Sequence, residues 1–251
     1  MGSVLVVTGT GTGVGKTVVT AALAALAHAS GQRVAAVKPA QTGAAPGEPG
    51  DLAEVERLAG ITDTHELARF PAPLSPEAAA RAAGMAPLDL DLAAGRIQHL
   101  AASRDLVLVE GAGGLLVRYG PGGATLASLA RALAAPVLVV TGAGLGTLNH
   151  TALTLEALAA RRLPLAGLVI GCWPANPQLA ECSNLTDLAA LAGRALCGVL
   201  PDGAGRLDRA AFRQLAGEGL APPLGGRFDP AVFEEKHACP PAQLATLPAV
   251  Q

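Results

Sequence analysis

Apolar residues in this chain come in short blocks without alternation, each closed by a small-residue turn and followed by a longer stretch at helical spacing. Six Val- and Leu-rich blocks predict strands at 4–8, 34–38, 106–110, 137–141, 167–171 and 196–200. Polar residues do not interrupt them, so both faces of each strand are expected to be covered. Helical patterns occupy 17–30, 51–59, 76–84, 89–103, 125–134, 148–161 and 184–193. Strands alternating with helices predict an α/β fold: a doubly wound, mainly parallel sheet with helices on both faces. Residues 40–50 read as a Gly/Pro/Ala loop beside the site. Beyond about 204 the pattern fades into one helix (208–217) and an irregular or disordered end containing Pro222-Pro223 and Pro240-Pro241.

At 251 residues the chain is long enough to bury a sizeable core. Its net charge of −2 and lack of a basic run argue against nucleic acid or an anionic membrane as partner. No apolar run reaches the ~18–20 residues of a membrane helix. The N-terminus has no basic n-region and no small-residue cleavage site, so a cytoplasmic location is expected. The cysteines, Cys172, Cys182, Cys197 and Cys239, have no metal-ligand spacing and read as reduced thiols. Only Lys16, Lys38 and Lys236 are lysines among 18 basic residues. Where arginine serves as the general cation, a lysine beside a small-residue loop points to a compact contact with phosphate or a small anion.

The first predicted strand runs into Thr8-Gly9-Thr10-Gly11-Thr12-Gly13-Val14-Gly15-Lys16-Thr17 and then a helix. Strand, glycine-rich turn, Lys-Thr and helix make an anion cradle. Backbone N–H groups and the positive helix end converge on phosphate, Lys16 adds charge, and Thr17 offers a hydroxyl to a phosphate-bound Mg²⁺. The loop departs from the standard pattern, with Thr10 in the first glycine slot and Gly9 one residue earlier. Gly11 stands where partition-type and cell-division-type ATPases carry a second lysine, which argues against that class.

Ligands of an open parallel sheet bind beyond the carboxyl ends of its strands, and the remaining candidates lie there. Lys38 ends the second strand, held extended by Pro39 in Lys38-Pro39-Ala40-Gln41-Thr42-Gly43. Glu110 ends the third, before Gly111-Ala112-Gly113-Gly114, where a buried carboxylate calls for a cation or a bound amine. Asp51 opens a helix and reads equally as an N-cap or a metal ligand. The segment Gly144-Leu145-Gly146-Thr147-Leu148-Asn149-His150-Thr151 begins another helix and reads equally as a plain capped helix or a carboxylate receptor.

With the phosphate loop, Lys-Pro-x-x-Thr-Gly, Val-Glu-Gly-Ala-Gly-Gly and Gly-Thr-Leu-Asn-His-Thr in this order, residues 3 to about 203 resemble the dethiobiotin synthetase family. The resemblance implies one P-loop α/β ligase domain over 1–203, with 204–251 a helix and tail of the same domain or unassigned. It implies a homodimer that makes dethiobiotin from 7,8-diaminopelargonic acid, CO₂ and a nucleoside triphosphate. By the same resemblance Gly13, Val14, Gly15, Lys16, Thr17 and Val18 cradle the phosphates. Thr17, Asp51 and Glu110 would hold Mg²⁺. Thr12, Lys38 and Thr42 would bind the reacting end of the diamine, with Lys16 and Lys38 acting on the transferred phosphoryl group. Gly146, Thr147, Leu148 and Asn149 of the second subunit would receive the distal carboxylate. Gly111, Ala112 and Gly113, with Gly171, Cys172, Leu200, Pro201 and Asp202, complete the expected nucleotide site. In the base-recognition segment Gly171-Cys172-Trp173-Pro174-Ala175-Asn176, Pro174 removes a donor and shifts Asn176, so both ATP and CTP are candidate co-substrates. An amide-forming enzyme of the cobyrinic acid diamide synthase type is the other ligase reading. The chain carries no nucleophile elbow around a cysteine to support it.

Overall fold

The computed structural model describes residues 2–237. The strands are β1 (Ser3–Gly9), β2 (Val34–Lys38), β3 (Gln41–Thr42), β4 (Thr64–Glu66), β5 (Arg69–Phe70) and β6 (Leu106–Gly114). They continue with β7 (Arg118–Gly120), β8 (Ala124–Thr125), β9 (Val137–Gly142), β10 (Leu165–Trp173) and β11 (Gly198–Pro201). The helices are α1 (Lys16–Ala29), α2 (Asp51–Ala59), α3 (Pro76–Ala82), α4 (Leu90–Ala101) and α5 (Leu126–Ala132). After them come α6 (Thr147–Ala160), α7 (Leu179–Ala192), α8 (Arg209–Gly219) and α9 (Pro230–His237). Seven strands form one sheet in the order β11-β10-β9-β1-β6-β2-β4, every neighbour parallel. The chain order reverses around the central β1, which places the glycine-rich loop at the switch point.

Successive strand residues serve opposite cores. Val6, Val37, Val107, Val109, Val139 and Ile170 join one cluster with residues of α4, α5, α6 and α7. Val7, Ala36, Leu108, Leu138, Val140 and Val169 join the other, under α1, α2 and α8. This two-sided burial is why the strands read as unbroken apolar runs. With few aromatics, close approach of small side chains fills the space. Ala21, Ala22, Ala24 and Ala25 of α1 are all buried, between the sheet, α2 and α8, and each fully buried Val or Leu contributes about 1.5–3 kcal/mol.

The six predicted strands are all present, and the structure adds a seventh, β4. Its Thr64-His65-Glu66 is polar and only half-buried, so it carries no apolar signal. The strand expected to stop at Glu110 runs on to Gly114, with an irregularity in its pairing to β1 between Val7 and Gly9. Helix α7 starts five residues before the predicted 184, because Glu181 accepts from the Gln178 N–H and opens the helix at 179. Past 204, Phe212 and Ala216 of α8 are buried against α1 and α2, and Leu220 bridges to β11 at Gly198. The irregular end expected after 217 is ordered as far as 237. Pro222–Leu224 form a single 3-10 turn, and Pro230–His237 form a further helix, α9, whose Phe233 packs on Trp173 and Phe228. The remainder, with Cys239 and Pro240-Pro241, lies outside the described residues. Among the described residues no helix is long and apolar enough to cross a membrane.

Candidate active site

The phosphate loop leaves β1 and re-enters as α1, with Gly13 at φ 77° and Gly15 at φ 93°, backbone angles that favour glycine. No side chain caps α1, so its first turn presents unshielded N–H groups. A Cβ on Gly15 would stand 2.4 Å from the Gly171 carbonyl oxygen, and one on Gly171 would stand 2.2 Å from that of Val14. The loop therefore rests on the end of β10 through glycine-to-glycine contact. Lys16 folds back over the loop, its Nζ donating to the Gly11 carbonyl at 2.9 Å. Burial and the neighbouring Lys38 charge lower its pKa.

Facing this loop, β2 and β6 bring Lys38 beside Glu110. Lys38 Nζ donates to Glu110 Oε1 at 2.8 Å and to the Gly111 carbonyl at 3.0 Å, and pairs with Asp51 Oδ2 at 2.5 Å. Thr17 Oγ1 donates to the same Glu110 oxygen at 2.9 Å. Burial opposes the lysine charge, but the carboxylates of Glu110 and Asp51 outweigh it and hold the ammonium protonated above the ordinary lysine range. Glu110 is fully buried, and its second oxygen, Oε2, has no protein partner. An ionised oxygen left so in a protein interior is costly. Asp51 is the first residue of α2 and does not cap it. Gly50 holds the cap position, and the Asp51 N–H donates to Gln41 Oε1 at 2.9 Å while its carboxylate turns to Lys38.

Thr12, Gly13, Gly15, Lys16, Thr17, Val18, Lys38, Thr42, Asp51, Glu110, Ala112 and Gly113 line one cavity of about 650 Å³. Val14 lies in the loop outside that lining, and Gly111 contributes its carbonyl to Lys38. Gly171 and Cys172 lie under the loop, the Cys172 thiol donating to the Gly13 carbonyl at 3.5 Å. Burial, then the Asp202 charge, raise that thiol's pKa. The Leu200 side chain is wholly in the core, whereas Pro201 and Asp202 are exposed. The Asp202 N–H donates to the Trp173 carbonyl at 2.7 Å, tying β11 to β10. Gly146, at φ 90°, precedes α6, and Asn149 is exposed. The Thr147 hydroxyl turns inward to the Gly142 carbonyl at 2.8 Å.

Three contributors escaped the sequence reading. Gln41 bridges to Asp51, and its place inside the Lys38–Gly43 motif was the available signal. Tyr119, the chain's single tyrosine, is fully buried and accepts from the Ala112 N–H at 2.7 Å, fixing the glycine-rich end of β6. The segment Pro73–Pro76 walls the cavity, and nothing in its pattern marked it.

A glycine-rich loop at the switch point of a parallel sheet, with a lysine and two carboxylates across from it, defines a P-loop NTPase-type domain. A family profile described as an AAA domain matches residues 3–205. A solved relative in fold is the septum site-determining protein MinD complexed with Mg-ADP from Pyrococcus horikoshii, at a TM-score of 0.55 and 17% identity. The match covers 86% of this chain and 93% of that one, and at this identity the likeness is one of fold. Sequence relatives are far nearer. The ATP-dependent dethiobiotin synthetase BioD of Frankia casuarinae is 65% identical over 93% of this chain and 98% of its own length. The protein of the same name from a Parafrankia species is 60% identical over 94% and 99%. The chain belongs to the dethiobiotin synthetase family, and it is a ligase.

Proposed function

We propose that this chain makes dethiobiotin in the cytoplasm from 7,8-diaminopelargonic acid, CO₂ and a nucleoside triphosphate, ATP or CTP, as a homodimer dependent on Mg²⁺. The observation that carries the reading is Lys38, buried between Glu110 and Asp51 across the cavity from the phosphate loop. The donor set suits the metal. Mg²⁺ is commonly held by one or two carboxylates together with substrate phosphates, and here Glu110, with its Oε2 unpartnered, meets the Thr17 hydroxyl through Oε1 and shares the Lys38 ammonium with Asp51. Thr17, Asp51 and Glu110 would hold the ion, which would neutralise charge on the phosphate oxygens.

The chemistry divides among this chain's residues. A neutral amine of the diamine adds to CO₂ and loses a proton, giving a carbamate whose negative oxygen Lys38 holds. Thr12 and Thr42 fix the reacting end from either side of the cavity. The carbamate oxygen attacks the γ-phosphorus, the nucleoside diphosphate leaves, and a carbamic–phosphoric anhydride results. Lys16 and the phosphate-loop N–H groups, Gly13 to Val18, bear the developing charge, so catalysis is positioning plus electrostatics. The second amine attacks the activated carbonyl, phosphate departs and the five-membered ring closes. No covalent enzyme intermediate is needed.

Exposed Leu116 and Leu153 line a second groove with Thr12, Gly113 and His150, between the phosphate loop, the end of β6 and α6. Leu145 in the turn before α6 is exposed as well, which supports two-fold pairing on this face. In that pairing the first turn of α6 from the second subunit, Gly146 to Asn149, takes the distal carboxylate. Gly171, Cys172, Pro201 and Asp202, with the backbone of Leu200, would form the wall for the base. The test is fixation of ¹⁴C-bicarbonate into acid-stable product with diaminopelargonic acid and Mg²⁺, ATP and CTP in parallel. Fixed label supports the reading, and the ratio between the two names the nucleotide. Nucleotide hydrolysis without fixed label overturns it.

A further inference from the structure

A buried knot of threonines joins the phosphate loop to the first turns of α6. Thr141 Oγ1, on β9, lies 3.2 Å from Thr10 Oγ1, 2.7 Å from Thr147 Oγ1 and 2.9 Å from Thr151 Oγ1. Thr141 and Thr151 have no exposed surface, and Thr147 almost none. Counting protons sets the direction of each bond. The Gly142 carbonyl can only accept, so the Thr147 hydroxyl spends its one proton there, at 2.8 Å. Thr147 must then accept from Thr141, and Thr141, its proton used, accepts from both Thr10 and Thr151. Every donor and acceptor site on Thr141 is thereby filled. The knot is a polar relay running from Thr10 through Thr141 and Thr147 to the β9–α6 turn.

Its two ends matter. Thr10 also donates its N–H to the Val140 carbonyl at 2.9 Å, and the next residue, Gly11, holds Lys16. At the other end the knot anchors the first turn of α6, where Gly146 holds the cap position and no side chain caps the helix. A buried polar network filled to its valence fixes one arrangement of the elements it joins, because any shift leaves a hydroxyl unpaired.

We propose that Thr141 is a positioning residue, which keys the mouth of the phosphate loop to the N-terminus of α6 and so sets where the distal carboxylate of the substrate is received. The proposal rests on the reading of α6 given above. In a two-fold assembly each chain gives its loop to one site and its α6 turn to the other, so the knot holds two half-sites in register.

The test is steady-state kinetics on the purified full chain with diaminopelargonic acid, following ¹⁴C fixation. Thr141→Val removes the hub at equal volume, and an unsatisfied buried hydroxyl predicts a KM for the diamine raised about tenfold with kcat within about twofold. Thr141→Ser restores the hub hydroxyl and brings KM back to within about twofold of wild type. Thr10→Val cuts the same link from the loop side, so its effect on KM does not add to that of Thr141→Val in the double variant. If Thr141→Val does not fold, half-buried Thr10→Val carries the test alone, with KM raised severalfold. An unchanged diamine KM in folded Thr141→Val, or fully multiplying single effects, overturns the positioning role while leaving the ligase reading intact. A wild-type enzyme that fixes no label overturns both.

Discussion

Strands β2 and β6 are joined by an ion pair at each end, and the two pairs could hardly differ more. Just before the strands, Arg33 grips Asp105 through a side-chain fork and its own backbone N–H, with Nη2 2.8 Å from Oδ1 and both side chains substantially exposed. Every acceptor there has a donor, and water is at hand. At the carboxyl ends Lys38 meets Glu110 at 2.8 Å, the side chains 3% and 1% exposed, with Glu110 Oε2 unpartnered. The first pair is a staple, worth little beyond local order. Desolvation makes the second expensive, and its incomplete satisfaction leaves it ready for a cation and an anion from outside. Sheet geometry put both pairs on the same two strands. The difference is the loop-lined cavity at one end only.

The comparison breaks hardest at Lys38. Lys38→Ala is expected to cost turnover about a thousandfold or more, the scale of removing a preorganised charge donor, while nucleotide binding by titration calorimetry stays largely intact. Normal turnover in that variant would sink the mechanism. Glu110→Gln comes next. Losing outer partners of a metal site alone costs about 10–100-fold in metal affinity, so the Mg²⁺ concentration for half-maximal activity should rise at least tenfold. A Mg²⁺ profile matching wild type would remove Glu110 from the metal site.

Gly171→Ala sharpens the loop's side of the site. The new Cβ meets the Val14 carbonyl oxygen at 2.2 Å, and overpacking costs about 1–3 kcal/mol. A lower Tm and weaker nucleotide binding are expected together, and a Tm drop with unchanged binding would show that the loop can yield without losing its cradle. The smallest effect belongs to the staple. The Arg33 hydrogen bonds hold the Asp105 carboxyl at about 2, below its ordinary 3.8. That stabilisation is complete above pH 3.8 and disappears as pH falls through about 2. The modest Tm deficit of Asp105→Asn at neutral pH should therefore shrink across that interval. A deficit that persists at the acid end would mean Asp105 acts through packing rather than charge.

Much of this was legible before any coordinates. The apolar runs located the six long strands because both faces of each are buried, and the Gly13–Thr17 spacing located the cradle because only that order brings N–H groups, helix end and lysine together. Strand β4 stayed hidden because an edge strand of three polar residues has no pattern to show. The early start of α7 was missed because a Gln–Glu exchange at its first turn does not interrupt helical spacing. Asp51 illustrates the limit best. Its sequence context allowed a cap or a ligand, and only the approach of Lys38 from the end of β2 shows where the carboxylate points.

The sequence by itself determined the class of fold, the phosphate cradle and the family, because these rest on local order: runs, turns and spacings within a few dozen residues. Only the tertiary structure decided that Lys38, Glu110, Asp51 and Thr17 share one cluster around the buried Lys38–Glu110 pair, with an oxygen to spare, and that Thr141 gathers three hydroxyls from the loop and α6. Those arrangements depend on strand order and register, which bring together residues far apart in the chain. Burial then turns proximity into function, because in a low-dielectric interior each unmatched charge or hydroxyl must find a partner.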